Sequence, residues 1–490
     1  MNEPQASGVD TVATVTDASS QTRAASPRAR ERLLAAGFLT LGLVLGGSLL
    51  HAQEPTPPVD PAAVQASYQR GFDHQRNKQT DAAITAYEEA LALDPDHVPA
   101  LYEVGWSYWV LGRWSDVVRV WEHVLELDPE HDKVPQYIDE ARAKAALRER
   151  LEAGPAAGAG PEVVERIDGA GLRFAFGGDT MMGSPLTGVG LPKDDGAALF
   201  AAYAEPMKAA DVTFLNLEGV LLDGGKSHKC PDEDTTSCYA FRTPVRFAKN
   251  LVDAGVDVVS FANNHANDFG PAGRASTTST LDAAGILVAG PLDRSVVLDV
   301  GGVRVGVLGF ATSPGGGDVR DIDLAKAMVQ DMRGKADLVV VSFHGGAEGA
   351  RAQRVPPGVE TFLGENRGDL RRFTHAVVDA GADLVVGHGP HVLRGMEVYK
   401  DRLIAYSLGN FVTYGGFSLS GMNGLSALLE VDLHPDGRLA GGRIVSGRQI
   451  PPGGPLLDPE AEAAAVIREL SAADFGEAAP KIDDDGRFLP

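Results

Sequence analysis

The chain has 490 residues, of which 44% are hydrophobic and 23% charged, the proportions of a globular protein with two or three domains. Its formal net charge of −23 disfavours a broad nucleic-acid footprint and general adhesion to anionic polymers.

Residues 1–27 are rich in Ser, Thr, Ala and Gln, carry no periodic apolar positions and read as disordered. Residues 28–52 read as an export signal. Arg28, Arg30 and Arg32 form a positive n-region, Leu33 to Leu50 is uncharged and apolar, and Leu50-His51-Ala52 is an imperfect small-residue cleavage site. The apolar run is at the lower limit for spanning a bilayer. A cleaved signal peptide and an uncleaved inner-membrane anchor over residues 33–50 therefore both stay open, with a buried helix of a soluble domain as the plainer alternative. Because the positive charges precede the run, the rest of the chain is expected outside the cytoplasm, in the periplasm or at the cell surface.

Residues 53–62 form a Pro-rich spacer, and residues 63–152 are helical and repetitive. The string LALDP ends at Pro95 and LELDP at Pro129, a period of 34 residues, which is the length of a tetratricopeptide repeat. Gly71, Ala83, Tyr87, Ala90 and Pro95 occupy the signature positions of a first repeat, and Gly105, Tyr108 and Pro129 those of a second. Small residues let paired helices approach closely, and each Pro ends a helix pair. Residues 132–152 read as a charged capping helix. Such modules bind a partner segment, so a protein partner is expected; an unrelated helical hairpin is the alternative.

Residues 153–170 form a small-residue linker. From 171 to 455, short β-branched runs alternate with helical stretches, an α/β pattern, and residues 456–490 read as a peripheral acidic tail. Expected strands include 173–177, 211–215, 256–262, 303–310, 337–343, 383–387, 403–407 and 425–431, with helices over 244–254, 271–284 and 369–380. The two cysteines, Cys230 and Cys238, lie in one polar loop. In a cytosolic protein they suggest metal binding or chance; in an exported one, a local disulfide.

Unusual polar residues gather at the C-terminal ends of the expected strands, where α/β folds build their sites. Asp179, Glu218, Asn264 with His265, His344, and His388 with His391 all fall there. Two carboxylates, one amide oxygen and three imidazoles, with His265 set aside, suit divalent Zn, Mn or Fe better than an all-oxygen Ca or Mg cage. Six ligands exceed one tetrahedral zinc with an open position and match two metals sharing a bridging carboxylate. Each residue also has a plain alternative: a helix cap for Asp179, an ion pair for Glu218, turn hydrogen bonds for Asn264 and His265, ordinary histidines for the rest. Asp268, three residues after His265, is expected to fix that loop by hydrogen bonding.

The strings GGDTMMG, LNLEG, NNHANDFG, FHGGAE, GHGPHV and YSLGNF occur in an order that resembles the CapA family of poly-γ-glutamate capsule-synthesis proteins, a branch of the calcineurin-like metallophosphoesterases. The resemblance implies a metallophosphoesterase-like β-sandwich flanked by helices, behind the all-α repeat module, with two divalent metal ions at the strand ends. It implies Asp179 and His391 on one metal, Glu218 bridging, and Asn264, His344 and His388 on the other. His265 would polarise substrate or protonate a leaving group. Three departures stand out: Gly345 follows His344 where the family has Trp, Gly389 replaces a His of GHHPH, and the opening DxH is reduced to GGDTM. Arg367, in the insertion 364–368, and Asn410, in YSLGNF, are candidates for substrate contact; a surface salt bridge is the alternative for Arg367. The implied function is an exported metal-dependent hydrolase or transferase acting on an envelope polymer such as poly-γ-glutamate. Phosphoester or nucleotide hydrolysis, and a non-catalytic subunit of a synthesis or export complex, are the alternatives.

Overall fold

The computed structural model describes residues 13–17, 60–152, 171–230, 238–292, 294–314 and 316–490. The expected signal or anchor segment, most of the spacer and the linker lie outside these residues. Among the described residues, no helix is long and apolar enough to cross a membrane. Residues 13–17, within the stretch read as disordered, run as a strand antiparallel to the strand Arg294–Val300.

Five helices make the N-terminal module: α1 (Pro61–Arg76), α2 (Thr80–Leu93), α3 (Val98–Val110), α4 (Trp114–Leu127) and α5 (Val134–Glu152). The glycines explain how the pairs pack. A Cβ on Gly71 would stand 2.5 Å from the Tyr87 ring, and one on Gly105 2.0 Å from Trp121 Nε1, so α1 meets α2 and α3 meets α4 at distances only glycine permits. Tyr87, Trp121, Leu101, Val104 and Val117 fill the module's core. Pro95 and Pro129 follow the caps Asp94 and Asp128, where they stop α2 and α4. The expected capping helix is α5, and its Leu147 is buried against the helix Ile322–Arg333 of the next domain.

Residues beyond 171 form two stacked sheets with helices outside both. The first runs, by neighbour, through Arg487–Leu489, Leu439–Gln449, Leu425–Leu433, Leu172–Met181, Val212–Leu217, Val258–Ser260 and Leu287–Ala289. The second runs through Arg294–Val300, Val303–Ala311, Leu338–His344, Leu384–His388, Arg402–Ala405 and Met396–Tyr399. Alternation along each strand builds the layers. Phe174, Phe176 and Val340 point between the sheets, whereas Ala175 packs under the outer helices of the first sheet and Val339 and Val341 under those of the second. The central strands of both sheets are parallel, so their C-terminal ends emerge at one edge of the sandwich. The mixed α/β architecture behind an all-helical repeat is the expected fold class.

The tail departs from the sequence reading. Glu462–Phe475 is a helix whose Ala463, Ala464 and Ile467 join the core between the sheets, together with Phe488 from the last strand. The acidic composition of residues 456–490 concealed an apolar face. The expected strand 256–262 shortens to Val258–Ser260, which leaves Asn263, Asn264 and His265 in a turn.

Candidate metal centre

Asp179 lies near the C-terminal end of the strand Leu172–Met181. Gly178 lets the neighbouring loop close in: a Cβ there would stand 2.2 Å from the Gly409 carbonyl, which accepts the Asp179 N–H at 2.9 Å. No helix follows Asp179, so it is not a cap. Its Oδ1 accepts a hydrogen bond from Asn216 Nδ2 at 2.8 Å, and its Oδ2 stands 3.0 Å from His391 Nδ1. Glu218, just past the next strand, faces three imidazoles: His344 Nε2 at 3.4 Å, His391 Nε2 at 3.7 Å and His265 Nε2 at 4.0 Å from its Oε1. His388 Nδ1 lies 3.8 Å from Asp179 Oδ1, and His344 and His388 are register partners on adjacent strands.

Many polar atoms here are buried and unpaired: both oxygens of Glu218, Oδ1 of Asn264, and both ring nitrogens of His344 and of His388. Buried polar groups are ordinarily hydrogen-bonded, so such a concentration of unpaired polar atoms marks a place built for a ligand. The ligand atoms of Asp179, Glu218 and His391 lie within 4.8 Å of one another, a group able to hold a metal ion. The oxygen and imidazole donors present fit a divalent transition metal.

Two carboxylates this close oppose each other's ionisation. Burial and the Asp179 charge push Glu218 well above the usual carboxylate range. Burial opposes Asp179 too, but its hydrogen bond to His391 and the neighbouring imidazoles hold it below that range. Burial holds His344 well below the imidazole range and His388 down at about 4, which keeps both rings in the neutral form that metal ligation requires. His391 is raised to about 10: burial works against its charge, but Glu218 and Asp179 outweigh it. Its backbone sits at φ 57°, a left-handed conformation rare outside glycine and found at functional sites. At the departure Gly389, a Cβ would stand 3.1 Å from His344 Nδ1.

His265 is held from behind. Its Nδ1 lies 2.7 Å from Asp268 Oδ2, which also accepts the Phe241 N–H at 2.7 Å, so Asp268 fixes the loop as expected. Asn263 Oδ1 accepts the His265 N–H at 3.1 Å, while its Nδ2 donates to the Leu217 carbonyl at 2.8 Å. Burial lowers the His265 pKa against the opposing pull of Asp268. The Phe241 ring lies over His265 with centroids 4.2 Å apart, and Phe417 meets His391 edge-on at 5.1 Å.

Arg367 is not in a surface salt bridge. It is 4% exposed, its Nη1 stands 2.9 Å from Glu348 Oε1, and its Nε and Nη2 have no partner. Asn410 is fully buried beside Asp179; its Nδ2 donates to the Asn423 carbonyl at 3.0 Å, and its Oδ1 is unpaired. The side chain therefore offers no exposed surface to a substrate. Glu348 was not singled out from the sequence, although it ends the string FHGGAE. Its Oε2 stands 4.0 Å from His391 Nε2. The buried pair of Arg394 with Glu360, at 2.9 and 2.8 Å, holds its loop through the Ala347 N–H. Cys230 and Cys238 form a disulfide with Cα atoms 5.8 Å apart.

Comparison with known proteins agrees with this architecture. The family described as bacterial capsule synthesis protein PGA_cap matches residues 173–414, and the tetratricopeptide repeat matches residues 64–97. The PGA biosynthesis protein CapA of Bacillus subtilis is 31% identical over 284 residues, 54% of this chain and 69% of that protein. The capsule biosynthesis protein CapA of Bacillus anthracis is 30% identical over 287 residues, 54% of this chain and 65% of its own length. A probable polyglutamine synthesis accessory protein of Mycobacterium tuberculosis is 28% identical over 239 residues, 42% of this chain and 56% of that one. On these matches the chain belongs to the CapA family of bacterial capsule synthesis proteins, with a tetratricopeptide repeat on its N-terminal side.

Proposed function

We propose that this chain is a metal-dependent hydrolase or transferase that acts outside the cytoplasm on poly-γ-glutamate or a related envelope polymer. The observation that carries the reading is the set of buried, unpaired donors at one sandwich edge: Glu218, Asn264, His344 and His388, beside the paired Asp179 and His391. The relatives' names, which concern capsule and PGA biosynthesis, supply the substrate. The Cys230–Cys238 disulfide supports an oxidising compartment, as does the signal-like segment 28–52. The repeat module is the proposed dock for a protein of the same assembly.

Asp179, Glu218, Asn264, His344, His388 and His391 would hold the divalent metal, which would supply Lewis acidity to a carbonyl or phosphoryl oxygen and make a bound water more acidic. His265, whose Nδ1 faces the Asp268 carboxylate, presents Nε2 on the side facing Glu218, where it can take up a proton and pass it to a leaving group. Arg367, braced by Glu348, keeps the N–H groups of Nε and Nη2 free for an oxyanion. Phe241 and Phe417 shield the imidazoles from water.

The test is elemental analysis of the purified chain, followed by assays on poly-γ-glutamate and on an aryl phosphodiester. Bound metal with cleavage or transfer of poly-γ-glutamate is the expected result. Turnover of the phosphodiester alone would move the protein to phosphoester chemistry. A metal-free, inert chain would make it a non-catalytic subunit.

A further inference from the structure

We infer that Lys229 is an anion-binding residue of this site, held in place by the Cys230–Cys238 disulfide, and that it takes a free carboxylate of the polymer chain next to the reacting bond. Its ligand rests on the polymer reading above.

The Lys229 ammonium stands 3.5 Å from His265 Nδ1 and 3.4 Å from Asp268 Oδ1. The second distance exceeds the 2.7–2.9 Å of an ordinary charge-assisted bond, and Asp268 Oδ1 has no hydrogen-bond partner. Asp268 is already engaged through Oδ2 with His265 and the Phe241 N–H. The Lys229 side chain remains 37% exposed. The ammonium thus keeps donors free for a ligand, behind the imidazole that faces Glu218. Arg367, by contrast, is 4% exposed and shares its Nη1 with Glu348, so Lys229 is the more accessible of the two.

The backbone around Lys229 is built to hold it there. The Asp268 carbonyl accepts bonds from Ser227 Oγ at 3.0 Å, the His228 N–H at 2.9 Å and the Lys229 N–H at 3.3 Å. Ser227 Oγ in turn accepts the Cys230 N–H at 2.9 Å. The disulfide starts at the residue after Lys229, and Phe241, three residues past its other end, returns to Asp268. Both ends of the cross-linked loop are therefore tied to the residue that orients His265. Beside it, a cavity of about 100 Å³ is lined by Leu186, Thr187, Cys230, Cys238, Tyr239 and Phe241. Its mainly apolar wall suits the methylene pairs of a γ-linked glutamate chain, whose α-carboxylates remain free.

Charge favours such a residue. The chain carries −23, and Asp268 and Glu348 flank the centre, so a further exposed cation there eases the approach of a polyanion. A cation placed for one carboxylate of the repeat also discriminates against a neutral polymer.

The experiment is calorimetric titration of the full chain with a γ-linked glutamate oligomer and with its neutral α-carboxamide counterpart. Wild type should bind the acidic oligomer about tenfold or more tightly than the amide. Lys229→Met should lose that preference and Lys229→Arg should keep it, with melting temperature and metal content unchanged. The double variant Cys230→Ser, Cys238→Ser should lose most of the preference while retaining the lysine. A wild type without the preference, or a Lys229→Met variant that retains it, overturns the inference. Acidic binding that depends on Lys229 without any turnover would remove the hydrolase reading and leave the subsite standing. Turnover with no role for Lys229 would do the reverse.

Discussion

The repeat module and the metal centre are built from contacts of opposite range. In the module, Gly71 meets Tyr87 and Gly105 meets Trp121, each pair sixteen residues apart on consecutive helices. At the centre, Asp179 meets His391 across 212 positions, and Glu218 meets His344 from the other sheet. The module spends its aromatic residues on packing: Trp106, Trp109, Trp114 and Trp121 touch one another in a chain of edge-on and tilted pairs. The centre keeps polar atoms buried without partners, which is costly unless a ligand satisfies them. Local repetition yields a stable frame, while long-range convergence yields a site that carries strain.

The strongest way to break that contrast is to remove ligands. The double variant His344→Ala, His388→Ala should lose nearly all bound metal while its far-ultraviolet circular dichroism stays that of the wild type. Full metal occupancy would show that these residues are ordinary core histidines. His265→Ala comes next. It should retain metal and lose about 10²- to 10⁴-fold in rate if the imidazole is a general acid, with the larger loss on a poor leaving group. Equal losses on good and poor leaving groups would assign it to electrostatic positioning, and lost metal would make it a ligand.

Two smaller effects separate the regions. Reduction of Cys230–Cys238 removes a short-loop constraint at the margin of a core cluster, so stability should fall by about 2–3 kcal/mol. The loss should appear in the melting of the sandwich and leave the module's transition alone. Intact-mass analysis of alkylated protein from the envelope should show no free thiol; two free thiols would count against the exported location. Gly105→Ala should cost about 1–3 kcal/mol, because the added methyl collides with the Trp121 indole. Metal content should be unchanged. If the substitution abolished metal binding, the two regions would not be independent, and the contact of Leu147 with the helix Ile322–Arg333 would be the first place to look.

The 34-residue period, the small residues at helix contacts and the terminating prolines were legible because helical repeats are written in short-range spacing. The polar residues at strand ends were legible as a set, because apolar runs that stop at Asp179, His344 or His388 are conspicuous in the chain. The CapA motif order completed the fold. Glu348 escaped notice because its loop is placed by the buried Arg394–Glu360 pair, two residues with no sequence pattern to join them. The tail was misread because a net-acidic segment can still present Ala463, Ile467 and Phe488 on one face. Burial of Arg367 was equally invisible, since nothing local distinguishes a surface guanidinium from one braced by a distant carboxylate.

By itself the sequence determined the repeat, the α/β alternation and the identity of the candidate ligands, because these depend on residue type and on spacing along the chain. Only the tertiary structure decided which oxygens face which imidazoles, which donors are left unpaired, and that Lys229 stands behind His265. Those relations arise where parallel strands from two sheets end at one edge, and distances across that edge are not encoded in separation along the chain.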